Sequence, residues 1–382
     1  VVDLHRSRRA AAAAFATQGM LLLSLTTRLP ELQHRWHVGD VTLSLLLLGM
    51  ILLAGAGSVT AETLARRRDS ALMLRGGLLV VAAGVALLCV APVLGLFVAG
   101  VAAYGFGLGV VDAATNMQAV ALEHRYGRPI LPSFHGAWTL GGVVGAALTL
   151  ATSGVPVPAV AALAVVPVAV SAGRFLRRDH GPADAGPAGP AGPAGPDGHP
   201  AAAVAVPWRP ILLVGIGMVC FYMVDTAVQT WGPLFLDHTF PTPSRYVALA
   251  ALCYLLASGA VRLAGDGLVA RFGPVTVLRT GAVVGAAALA LVVFSPSWPL
   301  AVLGFAVLGA GVAVVAPLSF SAAARIAGGD DPTGSDPAAL VAARVARQAR
   351  VDAVIARFNQ FNYVGALLGS VLTGLVGADS LR

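Results

Sequence analysis

Two carboxylates stand where an apolar chain seldom places them. Asp112 lies deep in the apolar stretch 94–122, with Asn116 one helical turn further on the same face and Glu123 near its end. Asp225 lies in the middle of the stretch 209–236, where helical spacing puts Tyr222 and Gln229 on its face and Trp231 close by. An acid at the centre of a bilayer costs ~2.5 kcal/mol or more on insertion scales, so its retention marks a solute path or a proton relay. Burial disfavours the charged form of a carboxyl, which lets such a group take a proton from one side and release it to the other. Asn116, Tyr222, Gln229, Trp231 and Trp138, with Asn359 and Asn362 at the head of 358–377, offer hydrogen bonds and a flat apolar face for a polar solute. His135 opens the stretch 133–153. Because histidine as a residue type titrates near neutral pH, it is a candidate gate, with a structural role at the membrane edge as the alternative. Arg28 either snorkels to headgroups or binds an anion.

These residues need helices that cross a membrane to hold them. The chain of 382 residues is 57% hydrophobic and 11% charged, with a mean hydropathy of +0.81. A soluble domain carries roughly 25% charged residues, so the bilayer is the expected solvent. Stretches long enough to span fall at 10–29, 41–62, 72–91, 94–122, 133–153, 156–176, 209–236, 245–265, 275–294, 298–325 and 358–377. All 25 basic residues are Arg. With the N-terminus cytoplasmic, all but Arg28, Arg35, Arg245 and Arg382 fall on the inner side, as the positive-inside rule requires. The basic balance is thereby an orientation signal rather than a nucleic-acid surface. Without Lys, neither a Walker A loop nor a Schiff base can form. The three Cys lack zinc or redox spacing, and no zinc-protease or serine-hydrolase motif occurs. The chain reads as a non-enzyme without cofactor or metal.

The second half repeats the first at an offset of 204 residues. Gly55 pairs with Gly259, Arg67 with Arg271, Pro92 with Pro296, and Gly105 with Gly309. Beyond an Asp- and Arg-rich insertion, 327–357, the match resumes, pairing Phe134, Gly141 and Gly145 with Phe358, Gly365 and Gly369. The insertion reads as a cytoplasmic loop with some helix, its Arg344, Arg347, Arg350 and Arg357 facing water or headgroups. Between the copies, 177–208 carries Gly-Pro-Ala triplets and reads as a semi-extended linker. This gives an N-terminal bundle of six helices (1–176), a cytoplasmic linker (177–208) and a C-terminal bundle of five (209–382). The repeat predicts a twelfth span matching 156–176, for which no sequence follows. Neither acid is part of the repeat: Ala316 matches Asp112 and Leu21 matches Asp225, which favours function over scaffold.

Six plus six spans with this repeat and middle loop resemble the major facilitator superfamily. The mark of that family is a Gly-x-x-x-Asp-Arg-x-Gly-Arg-Arg loop after the second helix of each half. The second copy here reads Arg262-Leu-Ala-Gly265-Asp266 through Arg271-Phe-Gly273, and the first is degraded to Glu62 with Arg66, Arg67 and Arg68. Glu62, Arg67, Asp266 and Arg271 are thus expected to form a charge latch at the cytoplasmic ends. Asp112-Ala-Ala-Thr-Asn116 and Ser133-Phe-His135-Gly-Ala-Trp138 are similar to motifs of the fucose-permease-like sugar–proton symporters and their uncharacterised bacterial relatives. The resemblance implies an all-α membrane fold of two pseudo-repeated halves with alternating access, and a monomer in the bacterial inner membrane. It implies that protons and a small sugar-like solute are carried, with Asp112 as proton carrier; Asp225, by its place in mid-span, is expected to bind solute or couple to Asp112. A proton-antiport exporter of drugs or metabolites, and a non-transporting sensor or scaffold on the same fold, are the alternatives.

Overall fold

A computed structural model of the chain describes residues 3–26, 28–38, 40–65, 68–152, 155–177, 206–243, 246–333 and 336–376. Arg66, Arg67 and most of the linker (178–205) lie outside the described residues. Within them the regular structure is all helix, with no strand. The first set of helices is α1 (Leu4–Thr26), α2 (Leu29–Trp36), α3 (Asp40–Ala65), α4 (Ser70–Val90), α5 (Leu94–Tyr126), α6 (Leu131–Ala151), α7 (Val157–Val160) and α8 (Val165–Ser171). The second set is α9 (Trp208–Thr239), α10 (Leu249–Phe272), α11 (Pro274–Val293), α12 (Trp298–Val312), α13 (Val315–Gly328), α14 (Pro337–Phe358) and α15 (Gln360–Val376).

In lipid every backbone N–H and C=O must be paired inside the segment, and a helix achieves that alone. Seven helical stretches are long and apolar enough to cross a membrane: Leu45–Ala65, Ser70–Val90, Leu94–Tyr126, Trp208–Thr239, Leu249–Phe272, Pro274–Val293 and Trp298–Gly328. The other four expected spans are helical as well, as α1, α6, α7–α8 and α15. Local chemistry sets the ends. The Asp69 carboxylate caps α4 by accepting from the Ala71 N–H at 3.1 Å, and Gly127 closes α5 in the left-handed region at φ 62°. At 33 and 32 residues, α5 and α9 exceed a bilayer's thickness and must tilt or emerge from it.

The sequence repeat reappears as a packing repeat. Gly105 of α5 lies against the Met50 carbonyl of α3, and Gly309 of α12 lies against the Tyr254 carbonyl of α10. Both the glycines and the carbonyls are related by the same 204-residue step. A second pair of glycines related by the offset beyond the insertion makes similar contacts: Gly145 meets the Met20 carbonyl, and Gly369 meets that of Met223. Only a residue without Cβ lets two backbones come this close, and membrane helices associate through such small-residue contacts.

Three expected elements take a different form. The sixth span, 156–176, is interrupted: a 3-10 turn at Ala161–Ala164 separates α7 from α8, which ends at Ser171. Pro158 and Pro167 withhold backbone donors there. The tenth span breaks at residues 313–314 between α12 and α13. The largest difference is the insertion, which forms a 22-residue helix. Asp336 caps it, Pro337 occupies its first turn, and the Ala- and Arg-rich run beyond contains neither Gly nor Pro. Its last turns (351–358) are buried and run into α15, so the eleventh expected span begins earlier than its hydropathy suggests. Arg344 faces outward as expected. Arg347 and Arg350 instead donate to the Gly328 and Ala327 carbonyls at the end of α13, at 3.2 and 2.8 Å, where cations favour a helix C-terminus.

Because Gly109 sits directly against the Ala54 carbonyl of α3, Gly109→Val should overpack the α3–α5 crossing at a cost of about 1–3 kcal/mol. Gly95→Val, in open space on the same helix, is the control. Thermal unfolding of the purified proteins in one detergent should show a lowered midpoint for the first variant and an unchanged one for the second.

Candidate functional site

Asp112 projects from α5 into a ring of uncharged donors. Its Oδ1 accepts from Gln18 Nε2 of α1 at 3.0 Å. Its Oδ2 accepts from Asn359 Nδ2 at 2.7 Å, Asn362 Nδ2 at 3.2 Å and the Tyr363 hydroxyl at 3.1 Å. Three of the four donors come from the start of the eleventh span, about 250 residues further along the chain. The carboxylate thus ties the first set of helices to the second. It makes no salt bridge among the described residues, so its charge is met by neutral dipoles alone. Asn116 behaves otherwise: it is buried, and its amide donates to the Asp112 backbone carbonyl at 2.9 Å. Glu123 closes the loop after α5, with Oε2 accepting from the N–H groups of Ile130 and Leu131.

Asp225 forms a second centre on α9. Its carboxylate accepts from the Tyr254 hydroxyl of α10 at 2.8 Å and from Gln229 Nε2, one turn along its own helix, at 2.7 Å. Tyr222 stands between the two centres, and its phenol lies within electrostatic reach of both Asp112 and Asp225. Trp138, Tyr222, Asp225, Gln229, Trp231, Asn362 and Tyr363 are each half-buried rather than sealed. The structure therefore brings Asp112, Tyr222, Asp225, Gln229, Asn359 and Asn362 to one polar region, and adds Gln18, Tyr254 and Tyr363. Their hydroxyl and amide groups lie on otherwise apolar helices, a signal that was available in the sequence but carried no partner.

Arg262 was legible only as one of the orientation arginines. It is in fact buried, 6% exposed, within α10. Its Nη1 donates to Thr139 Oγ1 of α6 at 3.1 Å, its Nε to the Ala313 carbonyl at 3.0 Å, and its guanidinium lies over the Phe221 ring. The Ala313 carbonyl is available because the helix breaks there. Arg28, in contrast, is spent on structure: Glu31 at 2.9 Å and the Thr152 and Val155 carbonyls satisfy it.

The two acids of the expected charge latch each reach across to the other set of helices. Glu62 pairs with Arg357 of α14 at 2.7 Å, and Asp266 accepts from Arg8 of α1 at 3.1 Å and from the Ser133 N–H at 2.9 Å. Both acids therefore clasp the first set of helices to the second, through arginines that the motif does not contain. Arg271 is exposed, with its guanidinium over Phe272, while Arg67 is outside the described residues. Behind the clasp, His135 is buried between the rings of Phe15 and Phe320 at 5.4 and 6.1 Å, a position inside the junction rather than at an exposed edge. Ser58 Oγ on the Ala356 carbonyl and Leu263 on Gly136 complete this end.

The family model described as Major Facilitator Superfamily matches residues 10–335. The chain belongs to that superfamily. Among curated proteins it is similar to an uncharacterized transporter of Sinorhizobium fredii, 28% identical over 324 residues that make up 83% of this chain and 82% of the relative. It is also similar to an uncharacterized MFS-type transporter of Yersinia pestis, 26% identical over 81% of this chain and 78% of the relative. Among solved structures it resembles FucP, the E. coli fucose:proton symporter, in its outward conformation. The TM-score is 0.74 at 15% identity, over 98% of this chain and 92% of that one, a likeness of fold. The chain is accordingly an integral membrane transporter rather than an enzyme.

The Asp266 clasp gives a direct test of the closed end. Its ion pair is partly exposed and is worth about 1 kcal/mol or less, so Asp266→Asn should raise the open population a few-fold. With the native cysteines replaced, a cysteine introduced at Thr139 should react with a soluble maleimide correspondingly faster in Asp266→Asn than in the parent.

Proposed function

We propose that this protein is a proton-coupled secondary transporter of a small polar, sugar-like solute, in which Asp112 carries the coupling proton. The reading rests on one observation: the carboxylate of a membrane-embedded acid accepts four neutral hydrogen bonds, three of which join the first set of helices to the second. Each hydrogen bond to a charged acceptor contributes about 1.5–3 kcal/mol where it is shielded from water. All four depend on an oxygen able to accept. Protonation turns one oxygen into an O–H donor facing the donors of Asn359, Asn362 and Tyr363. The attachment of α15 to α5 then weakens, and those amides and the phenol become free to bind solute hydroxyls. Loading with proton and solute thereby loosens the same contact that holds the present state.

In this reading the bundles 1–176 and 209–382 rock as two bodies, joined by the linker 177–208, within a monomer. The Arg-rich end bearing Arg8, Glu62, Asp266 and Arg357 faces the cytoplasm, with the segment 327–357 on the same side. The contacts between the sets run from the level of Asp112 to that end, which suits a state closed toward the cytoplasm. Asp225, with Tyr254, Gln229, Tyr222 and Trp231, forms the second wall of the solute site. His135, lodged between rings from both sets, acts as part of the gate. Uptake by symport follows from the fall of a proton down its gradient into the cell.

Proton flux in proteoliposomes carrying an internal pH dye tests the reading, with neutral sugars, sugar acids and cationic drugs as candidate solutes. Wild type should acidify on addition of a sugar-like solute, and Asp112→Asn should lose at least ~10-fold of that signal, since a general proton-transfer group is typically worth 10²–10⁴-fold. Acidification unchanged in Asp112→Asn would reject Asp112 as carrier. A signal confined to cationic drugs and of opposite sign would establish antiport instead.

A further inference from the structure

A buried arginine needs an anion, and Arg262 has none in contact. It is 6% exposed and makes no salt bridge among the described residues. Its hydrogen bonds go to a hydroxyl and a backbone carbonyl, through Nη1 and Nε, and among the described residues Nη2 takes part in none. The carboxylate whose charge acts on it is Asp225, yet both oxygens of Asp225 are already engaged, by Tyr254 and Gln229. A buried cation left without a close counter-ion is costly, and an intramembrane one is a functional site by default. The planar guanidinium fork is matched to a carboxylate, which it can hold by two parallel N–H···O bonds.

The surroundings say what would bring that carboxylate. Arg262 shares its helix with Tyr254, stands over Phe221 beside Tyr222, and reaches α6 at Thr139, the residue after Trp138. Tyr254 and Phe221 are buried, while Tyr222 is half-buried and belongs to the polar region described above, whose amides and phenols suit hydroxyl groups. Neutral sugars would use those groups and leave the cation unanswered.

We propose that the transported solute is anionic, a sugar acid of the hexuronate class, whose carboxylate Arg262 receives while its hydroxyls meet the amides of Asn362 and Gln229. This deepens the proposed function and rests on its placement of the solute between Asp112 and Asp225. In the empty protein Asp225 balances Arg262 from a distance, and in the loaded protein the solute carboxylate does so in contact. Arg262 also holds Thr139 across the junction of the two sets, so turning toward a solute releases one contact of the closed end. Recognition and opening are thereby joined in one side chain.

Binding of glucuronate and of glucose to the purified full chain, followed by tryptophan fluorescence and by thermal stabilisation, tests the proposal. Wild type should bind glucuronate at least tenfold more tightly than glucose. Arg262→Gln should lose at least tenfold for glucuronate and leave glucose unchanged. Arg262→Lys, which keeps the charge without the fork, should fall between, and Thr139→Val should keep the preference for the acid. The lysine and valine variants decide the matter where the glutamine variant fails to fold. Equal affinity for the two sugars, a glucuronate affinity indifferent to Arg262, or no glucuronate response in wild type would each overturn the inference. Proton flux recorded on the same preparations separates it from the coupling reading. Arg262-dependent glucuronate binding without proton movement retains the anion site and rejects the coupling. Glucose-driven proton flux indifferent to Arg262→Gln does the reverse.

Discussion

Inside a bilayer every charge and every backbone polar group must find its partner in the protein, because no water is there to supply one. That constraint organises this chain from its helices to its site. It confines most arginines to helix ends, where they close loops or satisfy terminal carbonyls, as Arg347 and Arg350 do for α13. It also gives meaning to the few charges it leaves inside. Asp112 and Asp225 are each surrounded by neutral donors, and Arg262 by a hydroxyl, a carbonyl and a ring. All three are solvated by dipoles and none is locked in an ion pair. A charge held in that way can exchange its partners at modest cost, whereas a buried salt bridge strongly resists the loss of either member.

The same constraint makes the packing depend on small residues. Between lipid-facing helices there is no hydrophobic gain from association, so contact must come from close fit. The paired glycines on α5 and α12 provide it at equivalent places in the two copies, against Met50 and Tyr254. The two bundles thus share a scaffold, and the residues that differ between copies are the ones free to be specialised. Tyr254 shows both at once. Its carbonyl receives Gly309 as part of the scaffold, while its hydroxyl donates to Asp225 as part of the site.

The insertion before the eleventh span acquires a role from this architecture. As a helix rather than a loop, α14 carries Arg357 to Glu62 and feeds Asn359, Asn362 and Tyr363 toward Asp112. One continuous path of α14 and α15 therefore touches both the clasp at the Arg-rich end and the acid at the centre. The break at Ala313–Val314 acts similarly on the other side, because the carbonyl it frees is the one that anchors Arg262. Irregular backbone at membrane depth is tolerated where protein groups satisfy it, and here it positions Arg262, a buried cation of the site region.

Much of this was legible in the sequence. Hydropathy located the spans, the 204-residue offset exposed the repeat, and the placement of Asp112 and Asp225 inside apolar stretches singled them out, since those signals are local or depend on comparing the chain with itself. Helical period even placed Gln229 on the face of Asp225, where its amide donates. What the sequence could not contain is which faces meet. Period reports the face of one helix and is silent on its neighbour, so the donors from α1 and α15 to Asp112 stayed hidden. Arg357 as a partner of Glu62 and Arg8 as a partner of Asp266 stayed hidden for the same reason: both arrive from distant helices. Arg262 shows the limit most plainly. In the chain it is one arginine near a helix end among many, and only the packing of α6, α9 and the broken α12–α13 around it makes it a buried cation in search of an anion.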